Sequence, residues 1–469
     1  MLINNHPYDP ALIGTMHLES ITEEEIDFCL QNYLSCYKEC MANSAQMKYF
    51  SAFILGLLSD LDRKSIEPIA LRYMNESAVR GFQDFFKRGT LNLPAVKNKY
   101  QKLLGQTLSS ADGMLCIDET DFPKKGTHSV GVARQYCGQL GKRENCQASV
   151  FVSYISSRGY GLVDGELYLP LAWMSPEYED MRKACAVPES KTFRTKNEIA
   201  IEMVKKIQQC GRYGIKWIGC DSSFGSDKVF LSSLPEGVCY FANVKSAHLV
   251  FRKYPKMIIP KHKGAIHPRP SIPPISISAI AADETMPWEK TILGNGSKGP
   301  VEAEIKCLRI WECCKSPNHK KETARPGEEQ WLIVRKYEDG SIKYIISNAP
   351  KETPQKVLNE LLLKRWSIEQ CFEECKSYLG MGHYETRSYT GWERHMQMVM
   401  IAHLATQIIR NELKKKANLT MPMAKRLIAY VIKAEVDFQK ELKINLYYLK
   451  RNAASYQSCK KQKLKNYTL

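Results

Sequence analysis

Long uncharged apolar runs are missing from this chain of 469 residues. A membrane-spanning helix needs about 18 or more consecutive apolar residues, whereas the run Met396–Ile409 is shorter and contains His403. The start of the chain also lacks the order of charged, apolar and small residues that marks an export signal. We therefore expect no membrane association and a cytoplasmic location.

A regular cysteine framework is missing as well, although the chain has 16 cysteines. Scattered cysteines without an export signal predict reduced thiols rather than a disulfide scaffold. The nearest approach to a zinc cluster is Cys307, Cys313, Cys314 and His319, and its spacing fits no paired zinc knuckle. No internal repeat is visible, which excludes solenoid and propeller architectures.

Positive charge is what the chain has in excess. Lys and Arg number 67 against 50 Asp and Glu, which gives a formal charge of +17 and a pI near 9.1. In a soluble protein such an excess favours a polyanionic partner, of which nucleic acid is the first choice. Simple solubility is the alternative explanation. A mass of 53.6 kDa predicts two or three domains.

The first 108 residues have the spacing of amphipathic helices. A helical pattern covers Thr22–Lys64 and includes a second helix at Ala45–Leu61. A third helix is predicted at Asn75–Lys87. Basic residues are dispersed among them: Lys64, Arg72, Arg80, Lys87, Arg88, Lys97, Lys99 and Lys102. The pattern predicts either a basic helical module that lies against DNA or a helical cap whose charges face water.

The composition then changes to short strands followed by a helix and a further strand. The segments, in order, are Gly113–Asp118, Ser129–Tyr136, Ala148–Ser156, Tyr160–Trp173, the helix Lys196–Gln209 and the strand Ile215–Asp221. This order predicts an α/β fold.

Two of these strands end in an aspartate, Asp118 and Asp221. A carboxylate at the end of a buried strand is well placed to bind a metal ion, because it stands on a rigid element at the sheet's edge. An ordinary turn or helix-capping Asp is the alternative for each. Asp118 also has two acidic competitors nearby, Glu119 and Asp121.

A third acidic residue stands on a predicted helix, Lys364–Gly380. Its periodicity puts Arg365, Glu369 and Lys376 on one side, and an apolar face on the other side consists of Ile368, Cys371, Phe372, Cys375 and Leu379. A surface helix with an Arg365–Glu369 pair is one interpretation. The other is a carboxylate that binds metal between two cations that bind phosphate.

About 150 residues separate Asp221 from Glu369, too many for a simple connection, so an inserted domain of strands and loops is expected there. After the helix Gln397–Leu413, the segment Pro422–Leu469 is predicted to be helical. It ends in a basic tail that contains Lys460, Lys461, Lys463 and Lys465.

The set Asp118, Asp221 and Arg365/Glu369/Lys376 resembles that of the DDE transposases of bacterial insertion sequences, in the group with a Tyr-x2-Arg-x3-Glu-x6-Lys signature. The segments Asp118–Gly138 and Trp288–Ile305 add to the likeness, which extends from about Phe50 to His403. One position departs from the signature, because Leu362 stands where the family has a Tyr that helps to position transposon-end DNA.

The resemblance implies a ribonuclease-H-like core, a mixed sheet with helices, interrupted by a β-rich insertion and flanked by helical regions. The first Asp would lie on the central strand, the second after the fourth strand and the Glu on a later helix. The expected domains are residues 1–108 (helical, DNA-binding), 109–235 (first part of the core), 236–350 (insertion), 351–416 (second part of the core) and 417–469 (helical, with the basic tail).

The resemblance also implies a chemistry. Asp118, Asp221 and Glu369 would hold two Mg²⁺ ions, with Mn²⁺ as a substitute, and the enzyme would cut the terminal inverted repeats of its element and join the 3′-OH ends to target DNA. Arg365 and Lys376 would bind phosphate near the cut.

Lys124 and Lys125 would bind phosphate too, or belong to a solvated loop. Double-stranded DNA is the expected partner, a homodimer on DNA the expected assembly, and the bacterial nucleoid the expected place of action. Two alternatives stay open: a catalytically retired, transposase-derived DNA-binding protein, and a structure-selective nuclease on the same core.

Overall fold

The computed structural model describes residues 17–87, 91–259, 268–296, 299–315, 324–417, 419–433 and 438–467. Arg88, His319 and part of the Trp288–Ile305 segment lie outside these residues, and so do the side chains of the predicted basic tail. Two compact units are present. The first comprises Met1–His17, Tyr100–Glu373 and Lys415–Asn418, and the second comprises Leu18–Lys99, Glu374–Lys414 and Leu419–Leu469.

Among the described residues, fifteen α-helices are present. They are α1 (Glu23–Ser35), α2 (Ser44–Leu58), α3 (Ile66–Tyr73), α4 (Ala78–Lys87), α5 (Leu93–Leu108), α6 (Glu179–Ala184), α7 (Lys196–Gln209), α8 (Ser222–Gly225), α9 (Lys228–Ser232), α10 (Ile277–Ala282), α11 (Gln355–Lys364), α12 (Ser367–Tyr378), α13 (Tyr389–Leu413), α14 (Met421–Val431) and α15 (Phe438–Tyr467).

The strands of the same residues number fourteen. They are β1 (Met114–Pro123), β2 (Ala133–Cys137), β3 (Lys142–Ser156), β4 (Gly159–Leu167), β5 (Trp217–Cys220), β6 (Cys239–Val244), β7 (Leu249–Phe251), β8 (Met257–Ile258), β9 (Arg269–Pro270), β10 (Ile275–Ser276), β11 (Glu289–Gly296), β12 (Gly299–Lys315), β13 (Ala324–Lys336) and β14 (Ile342–Ser347).

The first unit is built on one mixed sheet. Within the described part of the chain, twelve strands belong to it, in the order β10-β7-β12-β13-β14-β6-β5-β1-β3-β2, with β11 beside β12 and β4 beside β3. Strands β1, β5 and β6 are parallel, whereas β3 is antiparallel to β1 and to β4. The fold is therefore mixed α/β, as the order of predicted elements indicates.

The strands between Asp221 and Glu369 extend this same sheet. Strand β6 pairs in parallel with β5, and β14 pairs antiparallel with β6, so that β13 and β12 follow outward without a break in hydrogen bonding. Strands are present between Asp221 and Glu369, as expected, and β12 and β13 are the longest of them.

Several predicted boundaries are wrong. The strand expected at Tyr160–Trp173 ends at Leu167, and Trp173 lies in a 3₁₀ turn after Pro170. The strand expected from Ser129 begins only at Ala133, after Gly131 with a φ of +69°. A φ of this sign is characteristic of a turn rather than of extended backbone.

The predicted helix Lys364–Gly380 is present as the shorter helix α12 (Ser367–Tyr378), and a separate helix, α11, ends at the residue where it was expected to begin. Helix α11 ends at Lys364, where Arg365 is the C-terminal capping residue, and α12 begins at Ser367. At the break, the amide of Trp366 donates to the carbonyl of Leu363 at 3.1 Å, a three-residue turn that replaces the regular helical bond.

The second unit is helical. Helix α13 is buried along most of its length and packs against α1, α2, α4 and α14. The sequence-based prediction for the N-terminal region differs from the structure in two places. Helix α3 was not expected, and α4 begins at Ala78 rather than at Asn75. The side chain of Asn75 accepts a hydrogen bond from the amide of Ala78 at 3.1 Å. No described helix is long and apolar enough to span a bilayer.

Candidate active site

Asp118 and Asp221 stand at the same level on neighbouring parallel strands. The register of β1 and β5 pairs Ile117 with Cys220, and the residue that follows each of them is an aspartate. Neighbouring strands lie about 4.8 Å apart, which brings the two acidic residues side by side. Asp118 is not at the end of its strand as expected, because β1 continues to Pro123, but it is the first residue beyond the pairing with β5.

The acidic competitors of Asp118 face the other side of the sheet. Side chains alternate along a strand, so Glu119 and Asp121 point away from the side of Asp118. Glu119 forms an ion pair with Lys196 at the start of α7. Asp121 is buried and its Oδ2 accepts the amide hydrogen of Gly138 at 2.7 Å. Both competitors therefore have structural partners of their own.

Asp221 also caps a helix. Its Oδ1 accepts hydrogen bonds from the amide and the hydroxyl of Ser223, at 3.0 and 2.7 Å. This arrangement is the N-cap of α8. The capping interpretation and the catalytic one are compatible, because capping occupies Oδ1 and fixes the orientation of the carboxylate.

Glu369 is brought to the same face of the sheet by the packing of α12. The predicted apolar face of this helix is buried, with Ile368, Cys371 and Cys375 inaccessible to solvent. The ring of Phe372 packs edge-on against Phe151 of β3, with centroids 5.6 Å apart. Gln370 donates from Nε2 to the hydroxyl of Tyr160 at 2.7 Å, which fixes the helix beside β4.

Arg365 connects the helical and strand parts of the site. Its Nη2 donates to Oε1 of Glu369 at 2.6 Å, and the residue is only 7% exposed. Its other terminal nitrogen, Nη1, is buried without a hydrogen-bond partner. A buried donor without a partner carries a desolvation cost, which an incoming acceptor such as a phosphate oxygen would relieve.

Gly219 on β5 makes room for that arginine. A Cβ at this position would lie 3.1 Å from Cγ of Arg365 and 2.3 Å from Cε of Met114. The absence of a side chain therefore lets the aliphatic part of Arg365 lie across the strand. Sequence reasoning missed Gly219, and its only signal was a glycine two residues before Asp221.

The electrostatics of the site follow from this crowding. Burial above all, and then the neighbouring charges of Asp221 and Glu369, raise the pKa of Asp118 to about 7, although Arg365 opposes them. Burial acts to lower the pKa of Arg365, but Glu369 and Asp118 outweigh it and raise that pKa. A buried carboxylate whose pKa is raised by neighbouring acidic groups is typical of sites that receive a cation.

The donor set fits a hard divalent cation, although it is not assembled around one. Three carboxylates offer oxygen ligands of the kind that Mg²⁺ prefers. Across the described residues, however, no group of three His, Cys, Asp or Glu side chains is arranged closely enough to hold a metal ion. Arg365 holds Glu369, and a bound cation would compete with Arg365 for that carboxylate.

The predicted phosphate-binding residues lie at different distances from this centre. Lys376 is seven residues after Glu369 on α12, which is about 10 Å along the helix. Lys124 follows the end of β1, six residues beyond Asp118 and therefore roughly 20 Å away along extended chain. Lys124 is half-buried, and burial lowers its pKa to about 8, while Lys125 is exposed in the adjoining turn.

Trp366 is a residue that sequence reasoning missed. It lies at the break between α11 and α12 and is 48% exposed, although tryptophan is usually well buried. It directly precedes α12 and stands three residues before Glu369 in the sequence. The only available signal was an aromatic residue beside Arg365 in the predicted helix.

Leu362 is buried, with 8% of its surface exposed. A side chain at this position of α11 therefore packs into the protein. The departure from the family signature affects a buried position in this chain.

Comparisons with known proteins relate this chain to nucleases and transposases. A family model described as "DDE superfamily endonuclease" matches residues 36–300, which include Asp118 and Asp221 and end before Glu369. The probable transposase for insertion sequence element IS701 from Microchaete diplosiphon is 26% identical over 362 residues, which cover 77% of this chain and 82% of that protein.

A comparison of structures finds the NurA nuclease from Sulfolobus solfataricus. It has a TM-score of 0.24 and 8% identity and covers 60% of this chain and 84% of that one, a likeness too low to bear on the fold. The family match spans more than half of the chain and contains two of the three acidic residues. This chain therefore belongs to the DDE superfamily of endonucleases.

Proposed function

We propose that this protein is a DNA transposase that cuts the ends of its own insertion sequence and joins the 3′-OH ends to target DNA. The observation that carries the proposal is the pairing of β1 with β5, which sets Asp118 beside Asp221 on the face that α12 covers with Glu369. The relative from Microchaete diplosiphon has the name of a probable transposase, which supports the proposal. The proposed substrate is double-stranded DNA.

The cation is proposed to be Mg²⁺, as two ions, with Mn²⁺ as a substitute. Asp118 would be shared by both ions, and Asp221 and Glu369 would each bind one. When bound, such ions activate water and stabilise charge on the leaving oxygen. The raised pKa of Asp118 supports this assignment, because a cation would relieve the mutual repulsion of the carboxylates.

The protein's own residues prepare the site for this chemistry. The amide of Glu119 donates to Oδ1 of Asp118 at 2.8 Å and orients that carboxylate, as Ser223 orients Asp221. Arg365 is fixed by burial and by Glu369, so its Nη1 is held ready to donate to a phosphate oxygen. Lys376 would add a point charge farther along the DNA.

The proposed reaction has two steps. In the first, water attacks the phosphorus at the end of the element, a new P–O bond forms, and the bond to the 3′-oxygen breaks and leaves a free 3′-hydroxyl. In the second, that hydroxyl attacks a phosphodiester of the target, and the 3′-oxygen of the target strand leaves. Both steps use the same site.

The sheet supports a ribonuclease-H-like core. Among the strands β4, β3, β1, β5 and β6, which lie side by side in that order, β1 is central and carries the first Asp. The second Asp follows β5, the fourth of these strands along the chain, and the Glu lies on a later helix. The strands from β7 to β14 would correspond to the β-rich insertion.

On this basis we keep the five-part division as a proposal: a DNA-binding helical region (1–108), a core in two parts (109–235 and 351–416), the insertion (236–350) and a helical C-terminal region (417–469). Two element ends must be cut and joined together, so a homodimer on DNA is part of the proposal. Its place of action would be nucleoid DNA in a bacterial cytoplasm. Lys124 and Lys125 would contact DNA away from the cut.

The test is a cleavage and strand-transfer assay with the terminal inverted repeats that flank the gene. With Mg²⁺, the wild type should nick the repeat ends and yield joined products. Glu369→Gln should lower both activities by roughly a hundredfold or more, because a proposed metal ligand has a larger effect than its supporting residues. Glu373→Gln is the matched control, because Glu373 is exposed one turn later on the same helix.

The outcomes separate the alternatives. Nicking by Glu369→Gln at the wild-type rate would contradict the catalytic assignment. Binding of the repeats without cleavage, even in Mn²⁺, would indicate a retired transposase, and cleavage without strand transfer would indicate a nuclease.

A further inference from the structure

Helix α15 (Phe438–Tyr467) carries an exposed row of apolar side chains. Leu442 and Leu446 are 46% and 50% exposed, and Leu449 and Tyr456 are each 68% exposed. Ala453, between the last two, is exposed as well. Single exposed apolar residues are ordinary, but a contiguous row of them marks an interaction site. We call these five residues the α15 row.

The opposite side of the helix is already in contact with the second unit. The hydroxyl of Tyr447 donates to Oε1 of Glu67 on α3 at 2.6 Å, and Arg451 forms an ion pair with the same carboxylate. Ile444 and Tyr448 on this side are half-buried. At about 100° per residue, these residues lie roughly half a turn from the α15 row. The row is therefore not the surface by which α15 packs on its own chain.

The spacing of the row is that of a coiled-coil seam. Its members follow one another at intervals of four, three, four and three residues, from Leu442 to Tyr456. This repeat of 3.5 residues is the narrow seam by which two helices pair, whereas packing on a globular surface uses a wider apolar face. Leu442 and Leu449 occupy the d positions, where leucine is compatible with a two-stranded assembly.

The residues that flank the row favour one orientation of a second, identical helix. Lys443 and Lys450 directly follow the residues at the d positions, Leu442 and Leu449. Asn445 and Asn452 directly precede the residues at the a positions, Leu446 and Ala453. In a parallel pair, Asn445 faces Lys450 of the second copy, so no like charges meet. In an antiparallel pair, lysines would face lysines across the seam, which is unfavourable.

We propose that the α15 row is a homodimer interface, in which two copies of this chain pair their α15 helices in parallel. A straight seam is complementary to itself, as a two-fold interface requires. It spans only two heptads, so the dimer should form reversibly and depend on protein concentration. The pairing needs neither DNA nor metal.

The test is sedimentation velocity of the full-length chain in reducing buffer, over a wide range of concentration. The wild type should shift from monomer to dimer as concentration rises. Leu446→Glu should weaken the dimer at least tenfold, because it places a charge in the seam. Ser455→Glu adds the same charge on the side opposite the row and should leave the dimer unchanged. Unaltered circular dichroism and melting temperature would show that both variants fold.

A further substitution tests the orientation. Asn445→Glu should tighten a parallel dimer severalfold, because it would face Lys450 of the second copy, whereas it should leave an antiparallel dimer unchanged, because there it would face Asn452 of the second copy. A dimer that is not tighter would therefore overturn the parallel arrangement. The interface itself is overturned if the wild type stays monomeric at every concentration, or if Ser455→Glu weakens the dimer as much as Leu446→Glu.

A membrane surface is the competing occupant, since basic amphipathic helices also bind lipid. Vesicles of phosphatidylcholine and phosphatidylserine would be added to the monomeric protein. Co-flotation that Leu446→Glu abolishes, in a wild type that never dimerises, would overturn the proposal in favour of lipid. No cleavage is measured, so these results are independent of the catalytic proposal.

Discussion

Asp118 is the residue at which the proposed cation site can be tested without any DNA. Its carboxyl has an ordinary pKa of 3.8 and a pKa of about 7 in the folded protein, because it is half-buried next to other carboxylates. At pH 8, with no divalent cation present, the folded protein must therefore carry a charge that it disfavours. Asp118→Asn removes that charge, and its amide oxygen still accepts the amide hydrogen of Glu119.

The magnitude follows from the shift in pKa. Three pKa units correspond to about 4 kcal/mol, and solvent screening of a half-buried group reduces the expected effect to about 2 kcal/mol. The sign is set by proton release: the unfolded chain loses this proton near pH 4 and the folded protein near pH 7. Stability should therefore fall as the pH rises between these values and remain low above them.

The assay is thermal unfolding in EDTA and in excess Mg²⁺, at pH 5.5 and pH 8. In EDTA at pH 8, Asp118→Asn should be more stable than the wild type by about 2 kcal/mol, and its stability should depend less on pH. In the wild type, Mg²⁺ at about a hundred times its dissociation constant should add about 2.7 kcal/mol. The variant should lose this gain, because it lacks the shared ligand.

Asp112, in the turn two residues before the same strand, is the matched control. Ser110 donates a hydrogen bond to it at 2.6 Å and Lys364 forms an ion pair with it at 3.0 Å, and these contacts lower its pKa. Asp112→Asn should therefore destabilise the protein at pH 8, with the response to Mg²⁺ intact. The reasoning is refuted if Asp118→Asn is no more stable than the wild type in EDTA, or if it keeps the full Mg²⁺ effect.

Three further predictions concern the groups around this carboxylate. Arg365→Lys should lower single-turnover cleavage roughly tenfold to a hundredfold, because lysine cannot donate to Glu369 and to a phosphate through one planar fork; unchanged cleavage would contradict the role of Nη1. Trp366→Ala should weaken binding of a single-stranded oligonucleotide in EDTA by about 1–3 kcal/mol, the cost of one lost stacked base, while Trp366→Phe should retain binding by fluorescence anisotropy. Leu249→Ala, equally exposed on β7, is its control, and an equal loss there would argue against stacking. Gly219→Val should displace Arg365, lower cleavage, and cost about 1–3 kcal/mol of stability in thermal unfolding; full activity would show that the arginine does not depend on this space.

The sequence predicted the apolar face of the helix better than it predicted the surroundings of the proposed acidic site. The apolar face of α12 has the expected members because helical spacing is a local property of the chain. The break at Arg365–Trp366 could not be predicted, because no glycine or proline marks it and the apolar spacing continues across it. Because the break was not predicted, the exposure of Trp366 was not predicted either.

The pairing of strands lay beyond sequence reasoning for a different reason. Two aspartates at the ends of apolar runs indicated a site, but only the register of β1 with β5 makes them neighbours. Likewise, strands and loops were expected between Asp221 and Glu369, and strands are present there. That these strands continue the sheet of β5 and β6 depends on long-range hydrogen bonds, which have no local signal.

The pairing of β6 with β14 has a consequence for synthesis on the ribosome. Strand β6 ends at Val244, and the partner that covers its outer edge is not complete until Ser347 has been added. At about 5–20 residues per second, that interval lasts roughly 5–20 s. During this time the nascent chain presents an open strand edge to neighbouring chains on the same messenger. Translation that stalls between these strands should therefore yield insoluble fragments, whereas the finished polypeptide protects the edge itself.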